Sequence, residues 1–256
     1  MAGVWRGVHH GRSAADPPVK LILFDIDGTM LLTDGAGRRA LHRALLEVFG
    51  GTGPHNHRFD GKTDPQIVRE LMRIAGHTDV HIDEHMSRLL ERYVECLREE
   101  LRAACGGVTV MPGIRTLLHE LRARQDVVLA LLTGNLAGGA VAKLTAAGID
   151  PMQFRIGAYG SDHESRAELP AVAQRRAREE LGLTIEGADV VVIGDTPSDL
   201  NCGKGIGARA IGVATGHYSV EELRQHNPAA VFTDLSNTAD VMAAIDGATA
   251  VQRTPR

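Results

Sequence analysis

Cysteine is scarce: the 256 residues contain three, Cys96, Cys105 and Cys202, with no C-x-x-C pair among them. That excludes a disulfide-built scaffold and fits a reducing, cytoplasmic setting. Positive charge is not in excess, because 28 Lys and Arg face 32 Asp and Glu for a formal charge of −4. A nucleic-acid partner held by a basic surface is therefore not expected. No apolar run approaches the roughly 18 residues that span a bilayer, so no membrane partner is expected either. Residues 1–19 lack an apolar stretch of the secretory kind and read as a mobile leader, and residues 247–256 read as a frayed tail. The chain has no internal repeat and no low-complexity tract.

Apolar residues make up 43% of the chain, enough for a substantial core in one large domain or two modest ones. Four short, nearly unbroken apolar runs stand out: Leu21 to Phe24, Val127 to Leu132, Val190 to Ile193 and Ala210 to Ala214. They do not alternate, which is the pattern of strands buried on both faces. Phe154 to Ala158 and Ala230 to Thr233 are weaker strand candidates. Helical patterns lie between them, one carrying Ile114, Leu117, Leu118 and Leu121, another Val141, Leu144 and Ala147 with Gly148 as a stop. The alternation predicts an α/β fold with a doubly wound, mostly parallel sheet of Rossmann-like type.

One connection is too long. A crossover needs a dozen residues and its helix, yet about a hundred separate Asp27 from the next strong strand. Residues 31–110 are surplus and helical in pattern, with stripes at Leu41, Leu45, Val48 and Phe49, at Ile67, Val68, Leu71 and Met72, and from Met86 to Leu101. The expected division is a core of residues 20–30 and 111–246 with an all-helical insert at 31–110.

The chemistry-bearing residues sit where strands end. Asp25 and Asp27 in Phe24-Asp25-Ile26-Asp27-Gly28-Thr29 are two apart on an extended chain and so point the same way. Alone, this is also how a strand ends in an Asp-Gly turn; an EF-hand is excluded by Thr29 and by the missing Glu. The second strong strand ends Leu132-Thr133-Gly134-Asn135, a hydroxyl followed by amides entering a helix, which suits an anion. A later strand ends Gly194-Asp195-Thr196-Pro197-Ser198-Asp199. In open α/β sheets ligands bind beyond the carboxyl ends of the strands, where these groups converge. Several carboxylates in one cleft repel unless a cation intervenes, and oxygen donors with water suit Mg²⁺.

These three segments, in this order and spacing, resemble the haloacid dehalogenase superfamily of phosphohydrolases over roughly residues 20–245. Pro112-Gly113 before a helix and Val213-Ala214-Thr215-Gly216 at a late strand are similar to its phosphoglycolate-phosphatase-like branch. The resemblance implies a helical cap inserted after the first motif and a Mg²⁺-dependent phosphatase acting on a small phosphorylated metabolite, with phosphoglycolate as the branch's substrate. It implies Asp25 as nucleophile, Asp27 as general acid and base, and Thr133 with the amides of Gly134 and Asn135 as phosphate binders. Mg²⁺ would be held by Asp25, the main-chain carbonyl of Asp27 and Asp195, with Asp199 orienting from behind. The family places a Lys, sometimes an Arg, between the second and third motifs. No Lys lies between Lys143 and Lys204, so Arg166 is the expected substitute, with Arg175 and Arg176 in reserve. Lys62 in Gly61-Lys62-Thr63-Asp64 resembles a cap segment that faces substrate, and Arg38, Arg39 and Arg58 are further candidates for holding a substrate carboxylate.

Other patterns carry less. His81-Ile82-Asp83-Glu84-His85 fits H-x-x-E-H but opens a helix, where acidic residues are ordinary. Gly61-Lys62-Thr63 is not a P-loop, since Asn56 stands where its first Gly is required. Gly203, Gly205 and Gly207 follow a helix and precede a strand, the reverse of a dinucleotide loop. His55 and His57 are expected to be solvated. Rival functions are a phosphomutase of the β-phosphoglucomutase type, a dehalogenase, and a non-enzymatic receiver-like module; Asp27, Asp195 and Asp199 disfavour the second, and length disfavours the third. A monomer and a homodimer both fit.

Overall fold

The structure, a computed structural model, describes residues 18–103 and 107–247. Cys105, the leader up to residue 17 and the tail from residue 248 lie outside the described residues. The chain runs from β1 (Lys20–Phe24) into the short β2 (Leu31–Leu32). Three helices follow, α1 (Ala36–Phe49), α2 (Asp64–Ile74) and α3 (Asp79–Ala103), and then β3 (Thr109–Val110). Helices and strands alternate from there: α4 (Ile114–Arg122), β4 (Val127–Thr133), α5 (Ala137–Ala146), β5 (Ile156–Tyr159) and α6 (Leu169–Leu181). The remainder is β6 (Val190–Gly194), α7 (Pro197–Cys202), β7 (Arg209–Val213), α8 (Val220–Arg224), β8 (Ala230–Phe232) and α9 (Thr238–Asp246).

Six strands form one sheet in the order β5-β4-β1-β6-β7-β8, and every pairing is parallel. The apolar runs explain this. Ile22 and Phe24 point to one face, against Ile114, Leu117 and Leu121 of α4 and Val241 and Ile245 of α9. Leu21 and Leu23 point to the other, against Leu169, Val172 and Ala173 of α6. With both faces covered, alternation with polar residues is impossible and the run is continuous. Phe24 lies beside Leu131 of β4 and Ile193 of β6. That register brings the ends of the three central strands to one edge.

The helices α1 to α3 bury their own apolar stripes against one another, with Leu41, Leu45, Val68, Leu71, Leu89 and Leu97 in a core separate from the two on the sheet. The expected stripes are there, although Val48 and Phe49 are only half-buried. Two details of the sequence-based expectation are corrected. The segment 31–110 is not wholly helical: β2 and β3 pair antiparallel, Leu31 with Val110 and Leu32 with Thr109, so the chain enters and leaves the helical insert side by side. Two-residue strands are too short to leave a pattern. On α5, Val141 is exposed rather than buried with Leu144 and Ala147. The inward face is instead Ala140, Lys143, Leu144 and Ala147, which turns a lysine toward the interior. Cys96 and Cys202 are buried and free. No helix among the described residues is long and apolar enough to cross a membrane.

Gly113 enters α4 at φ 84°, and a Cβ there would lie 1.9 Å from the backbone carbon of Leu235. Gly182 ends α6 at φ 69° with open space around it. Gly182→Ala should therefore cost about 1 kcal/mol, the backbone strain alone. Gly113→Ala should cost roughly 3 kcal/mol or more, because two backbone segments collide. Urea unfolding of both variants measures the difference, and equal losses would contradict it.

Candidate active site

Asp25 follows the last residue of β1, and its amide donates to Ile193 O at 3.0 Å, continuing the ladder for one residue. Asp195 follows β6, and Asp199 lies in the first turn of α7. Carboxylate oxygens of the three lie within 4.8 Å of one another. All three are buried. Burial pushes the Asp25 carboxyl up to about 6 against the opposing pull of the Arg166 guanidinium. Burial, with Asp199 and Asp25 close by, pushes Asp195 well above the usual range.

Among the described residues, one cation answers this charge. Arg166 is buried in a short helical turn before α6, and its Nη2 lies 2.9 Å from Asp25 Oδ1 and in contact with Asp199 Oδ1. The arginine expected to stand in for the family lysine thus lies against Asp25 and Asp199. Its buried Nε has no partner among the described residues, which leaves a donor unspent. Arg175 and Arg176 lie elsewhere: Arg175 faces solvent near Glu179, and Arg176 pairs with Asp162 at 2.6 Å.

The donor set fits a hard divalent cation. Asp199 spends Oδ2 on the amide and hydroxyl of Thr196, at 3.0 and 2.7 Å, and Oδ1 on Arg166. Asp195 has its Oδ1 bonded by Thr29 at 2.8 Å. Asp25 and Asp195 thus retain oxygen lone pairs for an ion, whereas Asp199 is committed to the protein and positions its neighbours. Glycine is required on both sides of Asp195: a Cβ at Gly28 or at Gly216 would lie 2.3 or 1.8 Å from its Oδ2.

Asp27 lines the same cavity but takes its own partners. Both its oxygens lie 2.7 Å from Lys143 Nζ, and Oδ2 also accepts from Asn135 Nδ2 at 2.6 Å. Asn135 binds Lys143 through Oδ1 at 2.6 Å and gives Thr133 Oγ1 a bond at 2.8 Å. Asn135, expected to contribute its amide, therefore also ties Thr133, Lys143 and Asp27 together through its side chain. Lys143 was not anticipated; its place on the inward face of α5, eight residues past Asn135, was the available signal.

The helical insert closes over this floor. The backbone of Lys62 passes so close to Gly134 that a Cβ there would lie 2.0 Å from Lys62 O. Asp64 N donates to Gly134 O at 2.8 Å, and Asp64 Oδ2 accepts from Leu136 N at 2.8 Å. The site encloses a cavity of about 400 Å³ with Asp25, Asp27, Thr133 and Arg166 below and Arg38, Phe59 and Lys62 above. Lys62 lines it but pairs with Glu70 and approaches His57 at 3.2 Å. His57 is half-buried rather than solvated, with its Nε2 2.7 Å from Glu70, whereas His55 is exposed as expected and meets His42, Nδ1 to Nδ1, at 2.8 Å. Arg38 stacks on Phe59 with its Cζ 3.8 Å from the ring centre. Its Nη1 binds the carbonyls of His55 and His57 at 3.1 and 2.9 Å. Arg39 and Arg58 turn to Glu100 and Asp60 instead.

A family model described as haloacid dehalogenase-like hydrolase matches residues 22–204. The chain belongs to this family. A phosphoglycolate phosphatase from Rhodospirillum rubrum is 27% identical over 232 residues, covering 86% of this chain and 90% of that protein. The crystal structure of a hydrolase from Pseudomonas syringae superposes with a TM-score of 0.65 at 21% identity, covering 87% of this chain and 97% of that one. CbbY from Rhodobacter sphaeroides, solved in complex with phosphate, has a TM-score of 0.63 at 20% identity over 85% of this chain and 95% of its own. The two structures share the α/β fold with its parallel sheet and inserted helices.

Asp64 gives a pH test of the contact between insert and core. Burial raises its carboxyl from 3.8 to about 6, against the attraction of Lys143. Between those values the unfolded chain has lost a proton that the folded chain keeps, so stability from this group is full below pH 4 and falls as pH rises to 6. Asp64→Asn removes that fall. Its stability relative to the parent should improve by on the order of 2 kcal/mol from pH 4 to pH 6.5. Chemical unfolding across that range measures it; parallel profiles for the two proteins would contradict it.

Proposed function

We propose that this protein is a Mg²⁺-dependent phosphatase of small phosphomonoesters, with the helical segment 31–110 acting as a cap over a core of residues 20–30 and 111–246. The observation that carries the proposal is the buried set Asp25, Asp195 and Asp199 around Arg166, with Thr133 and Asp27 facing the same 400 Å³ cavity. A cavity of that size suits a small metabolite.

In this account Asp25 attacks phosphorus in line as the bond to the leaving oxygen breaks, and that oxygen takes a proton from Asp27. Water then attacks the aspartyl phosphate and gives a proton to Asp27, and the bond from phosphorus to Asp25 breaks. Inorganic phosphate leaves and both carboxyls are restored. Thr133 accepts from Asn135, so its hydroxyl hydrogen is available to a phosphoryl oxygen, with the amides of Gly134 and Asn135 beside it. Arg166 holds Asp25 in line. Lys143 and Asn135 fix the Asp27 carboxyl between its two proton transfers. Asp25, Asp195 and the main-chain carbonyl of Asp27 would hold Mg²⁺, which when bound neutralises phosphoryl charge.

Arg38 is assigned to the rest of the substrate. It lines the cavity, and its Nη2 and Nε carry no protein hydrogen bond among the described residues. A guanidinium offering two donors suits a carboxylate. Together with the name of the Rhodospirillum rubrum relative, this supports phosphoglycolate or a similar short carboxylated ester.

The test is inorganic phosphate release from a panel of phosphomonoesters, with Mg²⁺, with EDTA, and from Asp25→Asn. Release that requires Mg²⁺ and disappears in the variant is expected; no release across the panel from folded protein would overturn the proposal. Phosphoryl transfer within a sugar phosphate, without net release, would favour the mutase. Arg38→Ala should raise KM for a carboxylated substrate about 10- to 100-fold, the worth of a charged hydrogen bond, and leave uncharged esters unchanged.

A further inference from the structure

We propose that the outer end of the helical insert carries a second metal site, formed by His81, Glu84 and His85, for a transition-metal ion of the Zn²⁺ class. The three stand at i, i+3 and i+4 in the first turns of α3, so their side chains share one face. Ligand atoms from all three lie within 4.8 Å of one another, which makes room for one ion. Two imidazoles and a carboxylate are a donor set for zinc, nickel or copper, in contrast to the all-oxygen set at Asp25 and Asp195.

The rings are held for the purpose. His85 Nδ1 lies 2.9 Å from His81 O. A carbonyl only accepts, so Nδ1 carries the proton and Nε2 presents its lone pair, the arrangement in which a second-shell carbonyl fixes a metal-binding histidine. The Phe49 ring, at the end of α1, backs His81 at 5.7 Å and His85 at 5.6 Å between centroids. His77, just before α3, stacks on His81 at 5.2 Å with planes 17° apart. Glu84 is exposed, and no Lys or Arg pairs with it among the described residues.

The sequence pattern H-x-x-E-H is thus a binding pattern without the protease chemistry it resembles. None of the three residues lines the catalytic cavity, and Glu84 serves as a ligand rather than as a base. An ion here clasps successive turns of α3, so its signature is stability of the insert.

Calorimetric titration of the full chain with zinc chloride, in excess Mg²⁺ to occupy the oxygen site, tests this. One zinc per chain is expected, with a rise in melting temperature. The double variant His81→Asn, His85→Asn should bind at least about tenfold more weakly and lose that rise. Glu84→Gln, an exposed change that leaves the fold intact, should weaken binding in the same direction. Circular dichroism verifies that the variants retain their helices. Absence of zinc uptake by the parent would overturn the proposal. So would unchanged affinity in the double variant, which would assign the zinc to other histidines such as His42 and His55.

Discussion

Three carboxylates, from Asp25, Asp195 and Asp199, are packed together out of water at the carboxyl edge of a parallel sheet, with one guanidinium among them. Charge of one sign in so small a volume is costly unless it is compensated. Much of the local structure follows from that cost. Arg166 is buried to supply the compensating charge. Thr196 and Asp199 form a reciprocal cap that starts α7 and spends the Asp199 oxygens inside the protein. Gly28 and Gly216 leave the Asp195 carboxylate room that no side chain would allow. What compensation the chain leaves incomplete is the basis for assigning a divalent cation and a phosphate to the site.

The helical insert takes part in the same balance. Asp64 stands on α2, Tyr93 on α3 and Lys143 on α5, and the three share buried electrostatics with Asp27. Arg69 of α2 binds Glu164 through Nε at 2.8 and 2.9 Å, and Thr63 donates to Glu164 O at 2.6 Å, two residues before Arg166. The segments that carry Asp27's partners and Arg166 are therefore both held by the insert. In the proposed enzyme, closing the cap and assembling the acid–base and nucleophile sites are one event, and a cap that opens releases both.

The strands were legible because a buried parallel strand has only one way to be written, as in Val190 to Ile193. The residues that end those strands were legible for the same reason: their place in the fold follows from the register. Arg166 was singled out because the family resemblance implies a basic residue between the second and third motifs and no lysine lies there; what the structure adds is its burial against Asp25 and Asp199. Lys143 was not, because a lysine on a helix is ordinarily a surface residue and only the burial of Ala140 and Leu144 shows which way α5 is turned. His57 was taken for a loop histidine because its partner, Glu70, is thirteen residues away across a helix start. The β2–β3 ribbon escaped notice because two residues carry no periodicity. Short motifs at strand ends are written in sequence, whereas pairings between elements depend on tertiary packing.

The central claim is that Asp25 is phosphorylated during turnover. Acid quenching of the enzyme with a competent phosphomonoester, followed by peptide mass spectrometry, tests it directly. The account predicts a phosphoryl adduct on the peptide of β1 that contains Asp25, formed before steady-state phosphate release and absent from Asp25→Asn. Steady phosphate release with no adduct, or an adduct on any other residue, would contradict it.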